Sequence, residues 1–580
     1  MKRCPQCHRV ETDDSLVFCR TDGAALLTNS SSAGSEAGTA KLGSASASKE
    51  IETSTTPQSG EVAVGRGSGP TTVLAAQPQL STTRKLTRGS KQKFLIAVAA
   101  LLIVVGLAGY SYLSRRNTSA IQSIAVMPFV NVSGNADIEY LSDGMTETLI
   151  SSLSQLAHLN VKARSTVFYY KGKEITAKKL GEDLSVQAVL LGRVVQNGDD
   201  LKLSLELVNT GTQDVIWSEQ YDRKKSDLIT LQTDIARDVS NKLKTKLSGE
   251  DVAKLSGVHT ANPEAYERYL KGKYYSNQFT KQGLQLGVDS FNQAIAIDPN
   301  YSRAYSGLAY TYILLDDWFM PPHESVAKAR ENATKAIAID ETDADAHLVL
   351  GMVAHWYDWD WKKAEDEFKR TIVLNPKSCE AFTYYAYFLS SMKRDTEALN
   401  IARAGLQIDP LSSLANFSVA SALLFSRHWD EATTHLQNAI KIDPNYWFHR
   451  LYLGRCYEQK RMMPEAIAEF RRAVDLDSEQ SENWSGLAHA LAVSGKKAEA
   501  EKIVNDLITK SRAGSYVSPY NIAVVYVGLG DRESALNWLE RAYEERSYYL
   551  PVYLTTDERL EPLHDDPRFR VLVRRIGLPE

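Results

Sequence analysis

The first residues whose spacing carries chemistry are thiols at the N-terminus, in MKRCPQCHRVETDDSLVFCRTDGAAL. Cys4 and Cys7 put two thiolates on one tight turn, a spacing that lets both bind the same tetrahedral zinc ion, and Cys19 follows after a hairpin-length excursion. A second C-x-x-C knuckle would place its last ligand at position 22, where the chain has Asp22. Carboxylate oxygen is an acceptable zinc ligand, so Cys4, Cys7, Cys19 and Asp22 are the expected set, with His8 a poorer geometric alternative. Residues 1–27 are too few to bury a core of their own, so the expected role of the zinc is structural.

Catalytic constellations are missing from the sequence. It has no G-x-x-x-x-G-K-[ST] loop, no kinase glycine loop followed by H-R-D, and no H-E-x-x-H, so the chain is expected not to be an enzyme. Asp143, Glu147, Arg164 and Arg193 read more cheaply as helix surface charge and turn chemistry. Cys379 and Cys456 are isolated, and five cysteines in this arrangement are not a disulfide framework. A formal net charge of −4 argues against a protein built as a whole to bind nucleic acid.

These groups need elements to position them, and the chain of 580 residues has room for several domains. Residues 28–93 are rich in Ser, Thr, Gly and Ala and carry no aromatic residue, the composition of a disordered linker. Phe94–Leu113 is an uncharged run of twenty residues, the length at which a helix matches the roughly 30 Å hydrocarbon core of a bilayer. It predicts one transmembrane helix. Arg84, Lys85, Arg88, Lys91 and Lys93 before it outweigh Arg115 and Arg116 after it, which predicts a cytoplasmic N-terminus and extracytoplasmic C-terminal domains.

Residues 119–250 alternate strand and helix patterns. Ile121–Phe129 is followed by a helical stretch over Tyr140–Leu156, a strand at Leu159–Ala163 and a helix near Ile175–Leu184. Strands at Ala188–Val195, Leu201–Val208 and Asp214–Tyr221 come next, then a closing helix from Leu228. The strict alternation of LKLSLEL gives one apolar and one wet face, and the order predicts an α/β domain.

From 262 to 548 the sequence repeats. Ala364, Ala398, Ala432, Ala466 and Ala500 are each 34 apart, and Asn375, Asp409, Asp443 and Asp477 keep the same step. With small residues at Gly351, Ala386, Ala420, Gly454, Ala488 and Ala523, this is the tetratricopeptide signature, in about eight units. Between Asp298 and Asp340 the step is 42, an insertion near Trp318, and Trp356, Trp359 and Trp361 crowd the next unit. These tryptophans are expected to plug an irregular junction between repeats rather than to grip a peptide. Residues 549–580 are expected to cap the solenoid's last apolar face.

The register also predicts a concave groove presenting Met352, His355, Thr383, Tyr387, Phe417, Arg455, Glu458 and His489 to a protein or peptide partner. It lacks the ring of Lys and Arg that would clamp a C-terminal carboxylate.

Several stretches add a resemblance. IAVMPFVNVSG, YLSDGMTETLISSLS, the VLLGRVVQNGDDLKLSLELVNTGTQDVIWSEQYDR run and LQTDIARDVSNKL are similar to the TolB N-terminal-like (FlgO-like) domain that precedes tetratricopeptide arrays in bacterial membrane proteins. The cysteine segment resembles the short zinc ribbons of such proteins. The expected class is therefore multidomain: zinc ribbon, one transmembrane helix, α/β domain and all-α tetratricopeptide solenoid. The resemblance implies a single-pass protein of the bacterial inner membrane, a non-enzymatic scaffold that binds protein in its repeat groove. The alternative is a signalling receptor or regulator whose TolB-like domain senses a ligand and whose zinc ribbon contacts a cytoplasmic partner or nucleic acid.

Overall fold

The computed structural model describes residues 121–243, save 136, 137 and 157, and residues 260–579, together with three two-residue strands nearer the N-terminus. Those strands are β1 (Lys2–Arg3), β2 (Val10–Glu11) and β3 (Leu27–Thr28), with β1 antiparallel to β3. Cys4, Cys7, Cys19 and Asp22, the linker beyond Thr28 and the run Phe94–Leu113 lie outside the described residues.

The α/β domain is a sheet of β4 (Ser123–Val126), β5 (Val130–Asn131), β6 (Asn160–Val161), β7 (Ala188–Asn197), β8 (Asp200–Asn209) and β9 (Val215–Lys224), in the order β6-β4-β7-β8-β9. β4 runs parallel to β6 and β7, β5 continues beside β7, and β7, β8 and β9 are antiparallel. Leu201, Leu203, Leu205 and Leu207 are buried on one face of β8 while Lys202, Ser204 and Glu206 stay wet, which is what period-two alternation requires. Helices α1 (Glu139–Ser154), α2 (Arg164–Phe168), α3 (Ala177–Leu184) and α4 (Leu228–Lys242) complete the domain.

The repeat region is eight helix hairpins among the described residues. The first four are α5 (Pro263–Ser276) with α6 (Lys281–Ile297), α7 (Ser302–Leu315) with α8 (Pro322–Ile339), α9 (Ala344–Val353) with α10 (Trp361–Leu374), and α11 (Cys379–Ser391) with α12 (Asp395–Ile408). The rest are α13 (Ser413–Phe425) with α14 (Trp429–Ile442), α15 (Trp447–Gln459) with α16 (Met463–Leu476), α17 (Ser481–Val493) with α18 (Lys497–Arg512), and α19 (Pro519–Leu529) with α20 (Arg532–Glu544). A short α21 (Tyr549–Tyr553), a 3-10 turn (Glu558–Leu563) and α22 (Pro567–Ile576) follow.

Local chemistry sets both turns of the unit. Inside the hairpins, Trp359 (φ 60°), Lys393 (56°), Arg427 (62°), Arg461 (59°) and Gly495 (89°) are left-handed, so one αL residue ends the first helix at the repeat spacing. Between hairpins, Asp298, Asp340, Asp443 and Asp477 each accept the backbone N–H two residues on, at 2.9–3.1 Å, an Asx turn that stops the second helix. Phe470 fills the space between helices because a Cβ at Gly454 would fall 2.7 Å from its ring and one at Gly486 2.8 Å from it.

Two features correct the expected class. Among the described residues no helix is long and apolar enough to cross a membrane, and these residues form a predominantly helical protein dominated by the solenoid. The α/β domain, moreover, shares one hydrophobic core with the start of the repeats. Leu141, Leu149 and Leu231 belong to the same buried cluster as Tyr266, Leu270, Phe291 and Leu308. Polar contacts extend the joint: Tyr140 Oη donates to Glu267 at 2.5 Å, and Glu147 pairs with Arg164 at 2.8 Å and with Lys273 of α5 at 3.2 Å. Although burial works against it, Lys273 and Arg164 hold the Glu147 carboxyl down at about 2. Later repeats reach back as well, since Asp409 accepts Thr166 Oγ1 at 2.7 Å and also bonds Ser165, and Lys377 Nζ donates to the Ser154 carbonyl at 2.7 Å.

Candidate functional site: the interior of the repeat array

The array turns far enough for its end to meet its second and third hairpins. Asp317, in the turn between α7 and α8, accepts Tyr516 Oη at 2.6 Å and bonds Ser547. Trp318 Nε1 donates to Tyr548 Oη at 3.0 Å, and Arg546 lies 3.9 Å from the ring centroid of Trp359. The tryptophans predicted to plug a junction between neighbouring repeats instead close the array against its own C-terminal end, more than 180 residues away in sequence (546 − 359 = 187).

The C-terminal segment then enters the interior. Tyr553 Oη bonds Tyr452 Oη at 2.7 Å, which bonds Tyr387 Oη at 2.8 Å. Tyr549 Oη donates to Glu482 at 3.0 Å, and Tyr520 stacks on Tyr549 with centroids 5.2 Å apart. Asp557 accepts Tyr520 Oη at 2.8 Å, holds Arg559 in a fork at 2.9 and 2.6 Å, and lies 3.4 Å from Arg455. Leu550, Leu554 and Leu560 are fully buried, so this segment is part of the core and not only a cover for the last repeat.

All eight groove residues inferred from the register are therefore buried, and the open groove is corrected. Thr383, Tyr387 and Phe417 line a partly open pocket together with Tyr548 and Tyr553 of the C-terminal segment, and Arg455 faces Asp557. Glu458 and His489 pair with each other at 2.6 Å. Met352 and His355 do not line the pocket and are packed between helices: the His355 ring meets Phe388 edge-on at 5.4 Å and its Nε2 bonds Ser391 Oγ at 3.0 Å, and burial pushes its pKa down to about 3. A turn of π-helix over Ala354–Asp358 extends α9, in a unit where the step between the small residues, Gly351 to Ala386, is 35 and not the 34 that separates Ala386, Ala420, Gly454 and Ala488. Among the described residues no group of three His, Cys, Asp or Glu side chains forms a metal site.

Family models match at three places. Residues 420–481 and 520–548 match tetratricopeptide repeat models. The hairpins are tetratricopeptide repeats. Residues 119–238 match the HilA/YgeH-like transcriptional regulator, second domain, where the sequence by itself suggested a TolB N-terminal-like domain. The transcriptional regulator HilA of Salmonella typhimurium is 22% identical over 66% of this chain and 74% of its own length. A protein of Rhizobium meliloti named as a candidate adenylate cyclase 3 is 28% identical over 236 residues. This chain spans 40% of the length of that relative. A solved structure of Pseudomonas aeruginosa PilF is similar over 38% of this chain and 94% of its own, at 18% identity and a TM-score of 0.29.

Proposed function

We propose that the chain is a non-catalytic regulator that works by binding protein, with its α/β domain and tetratricopeptide array acting as one rigid body. The observation that carries this reading is the shared core joining the two parts, together with HilA-like sequence running through both. Since the interior is occupied by residues 547–563, the contact surface falls on the outside. On the open face of the sheet Val130, Val132 and Val195 are exposed side by side, flanked by Arg193 and Lys202, an apolar patch with a charged rim. The test is cross-linking with the full chain. A discrete partner protein is expected with wild type and lost in V130D/V132D with the melting temperature unchanged; recovery of the same partner by both would overturn the reading.

A second reading is favoured by the likeness to a transcriptional regulator. In it, zinc held by Cys4, Cys7, Cys19 and Asp22 shapes residues 1–27 into a contact for a further partner or nucleic acid. C4S/C7S should then lose about one equivalent of zinc, assayed by metal analysis, and lose the regulatory output while keeping the repeat fold. An unchanged zinc content would refute it.

A further inference from the structure

Between the hairpins one partly open pocket is filled by no side chain. It measures about 60 Å3, room for roughly four to six waters, and its walls are mostly aromatic: Trp318, Trp356, Tyr384, Phe417, Phe448 and Tyr548 among them. Two of its polar side chains have no hydrogen-bond partner for one buried oxygen each, Asp316 Oδ2 and Thr383 Oγ1. Asp316 is 3% exposed and Thr383 1%. Asp316 uses its other oxygen to accept Ser325 Oγ at 2.7 Å.

The charge around this cavity is one-sided. No Lys or Arg lines it, and Asp316 is followed by a second buried carboxylate, Asp317. Asp317 is satisfied by Tyr516 and Ser547, which leaves Asp316 as the unsatisfied member. Asp316 also caps the C-terminus of α7, where the helix dipole adds partial negative charge. Burial first, then Asp317, pushes the Asp316 carboxyl well above the usual range, so the empty site favours the protonated acid, and a cationic guest would bind with release of that proton and supply the positive partner that the carboxylate lacks. An aromatic lining has ring faces with a negative quadrupole available to a cation, so it is compatible with the same kind of guest as the carboxylate.

We propose that this cavity is a binding site for a small organic ammonium ion, its apolar body against the rings and its N–H groups donating to Asp316 and Thr383. A neutral apolar guest would fill the space and leave both oxygens orphaned; an anion would meet Asp316 directly. The site does not depend on the partner reading above, because its atoms lie inside the array and not on the outer sheet face.

The test uses the full chain and two probes of matching shape, cyclopentylammonium and cyclopentanol, followed by calorimetry and tryptophan fluorescence at pH 7.5. Cyclopentylammonium is expected to bind at least tenfold more tightly than cyclopentanol and to raise the melting temperature. D316N, which keeps an acceptor for Ser325, should reduce the preference to under threefold. T383V removes a hydroxyl that makes no hydrogen bond, so it should fold normally and weaken the ammonium alone. Equal affinity for the two probes, binding of neither, or an undiminished preference in T383V and in folded D316N would each overturn the assignment.

Discussion

The guanidinium of Arg455 lies 3.4 Å from Asp557 Oδ1, with side chains 2% and 0% exposed, and so ties the sixth helix hairpin to the C-terminal segment. The contact is ionic and not hydrogen-bonded, since Arg455 Nη1 and Nη2 make no hydrogen bond and the cation lies 5.1 Å and 5.3 Å from the ring centroids of Tyr452 and Tyr553. Burial opposes ionisation of Asp557, but Arg455 and Arg559 together hold its carboxyl far below the usual range. Removing one partner of such a pair strands the other in a dry interior, at a cost of about 3–5 kcal/mol. D557N should lower stability by that order in urea unfolding, and R455M/D557L should recover part of it. A loss under about 1 kcal/mol for D557N would show that the segment is not anchored here.

The interior acids make stability depend on pH in a direction that can be derived. Burial raises Glu482 to about 7 and Glu558 to about 7. A carboxyl whose folded pKa is raised binds its proton more tightly when folded, so its contribution falls as pH rises from the unfolded value through about 7. His355 and His449 push the other way at lower pH, because burial depresses them to about 3 and about 4. The comparison that isolates one acid is therefore E482Q against wild type. Between pH 4.5 and 8, E482Q should gain on wild type by roughly 2–3 kcal/mol in matched thermal melts. A constant difference would mean that Glu482 does not titrate in this window.

A cut in the chain tests the shared core directly. The α/β domain and α5 are joined through residues 244–259, and a protease site placed there breaks the covalent link without touching Tyr266, Glu267 or Lys273. After cleavage the fragments should co-elute in size-exclusion chromatography. Adding D409A, which removes the acceptor for Thr166 and Ser165, should lower the denaturant concentration at which they part. Separation in native buffer would refute the joint.

Gly454 and Gly486 flank the ring of Phe470 so closely that neither position has room for a methyl group. G454V should cost about 1–3 kcal/mol or more through overpacking, despite valine's smaller backbone entropy loss, and F470L should recover part of the loss in the double variant. Calorimetric melts of the two single variants and the double decide it, and additive costs would mean that the two residues do not meet.

What could be read from residues alone was whatever chemistry repeats locally. The units place a small residue beside a large one, and several stop their second helix with an Asx turn, so Gly454, Phe470 and Asp477 recur in step with counterparts in the sequence. The alternation in β8 likewise marked Leu201, Leu203, Leu205 and Leu207 as one buried face. The site was not legible in that way. A register places a residue on a face and says nothing of what covers it, so Tyr387 and Phe417 read as open although Tyr548 and Tyr553 line the same pocket from elsewhere in the chain. His355 was misplaced for the same reason: it packs edge-on against Phe388 and bonds Ser391 of the next hairpin, and its counterparts Leu389, Leu423 and Leu491 at the repeat spacing are buried as well.

The sequence by itself determined the repeat, its packing partners and its helix stops, because these depend on neighbours within about 40 residues and on side-chain size. The tertiary structure alone decided that the array closes through Asp317, Trp318 and Trp359, that residues 547–563 fill its interior, and that Asp316 is left facing an aromatic cavity. Those outcomes rest on contacts between residues up to 230 positions apart, brought together by the accumulated rotation of eight hairpins, and no local pattern in the chain records that rotation.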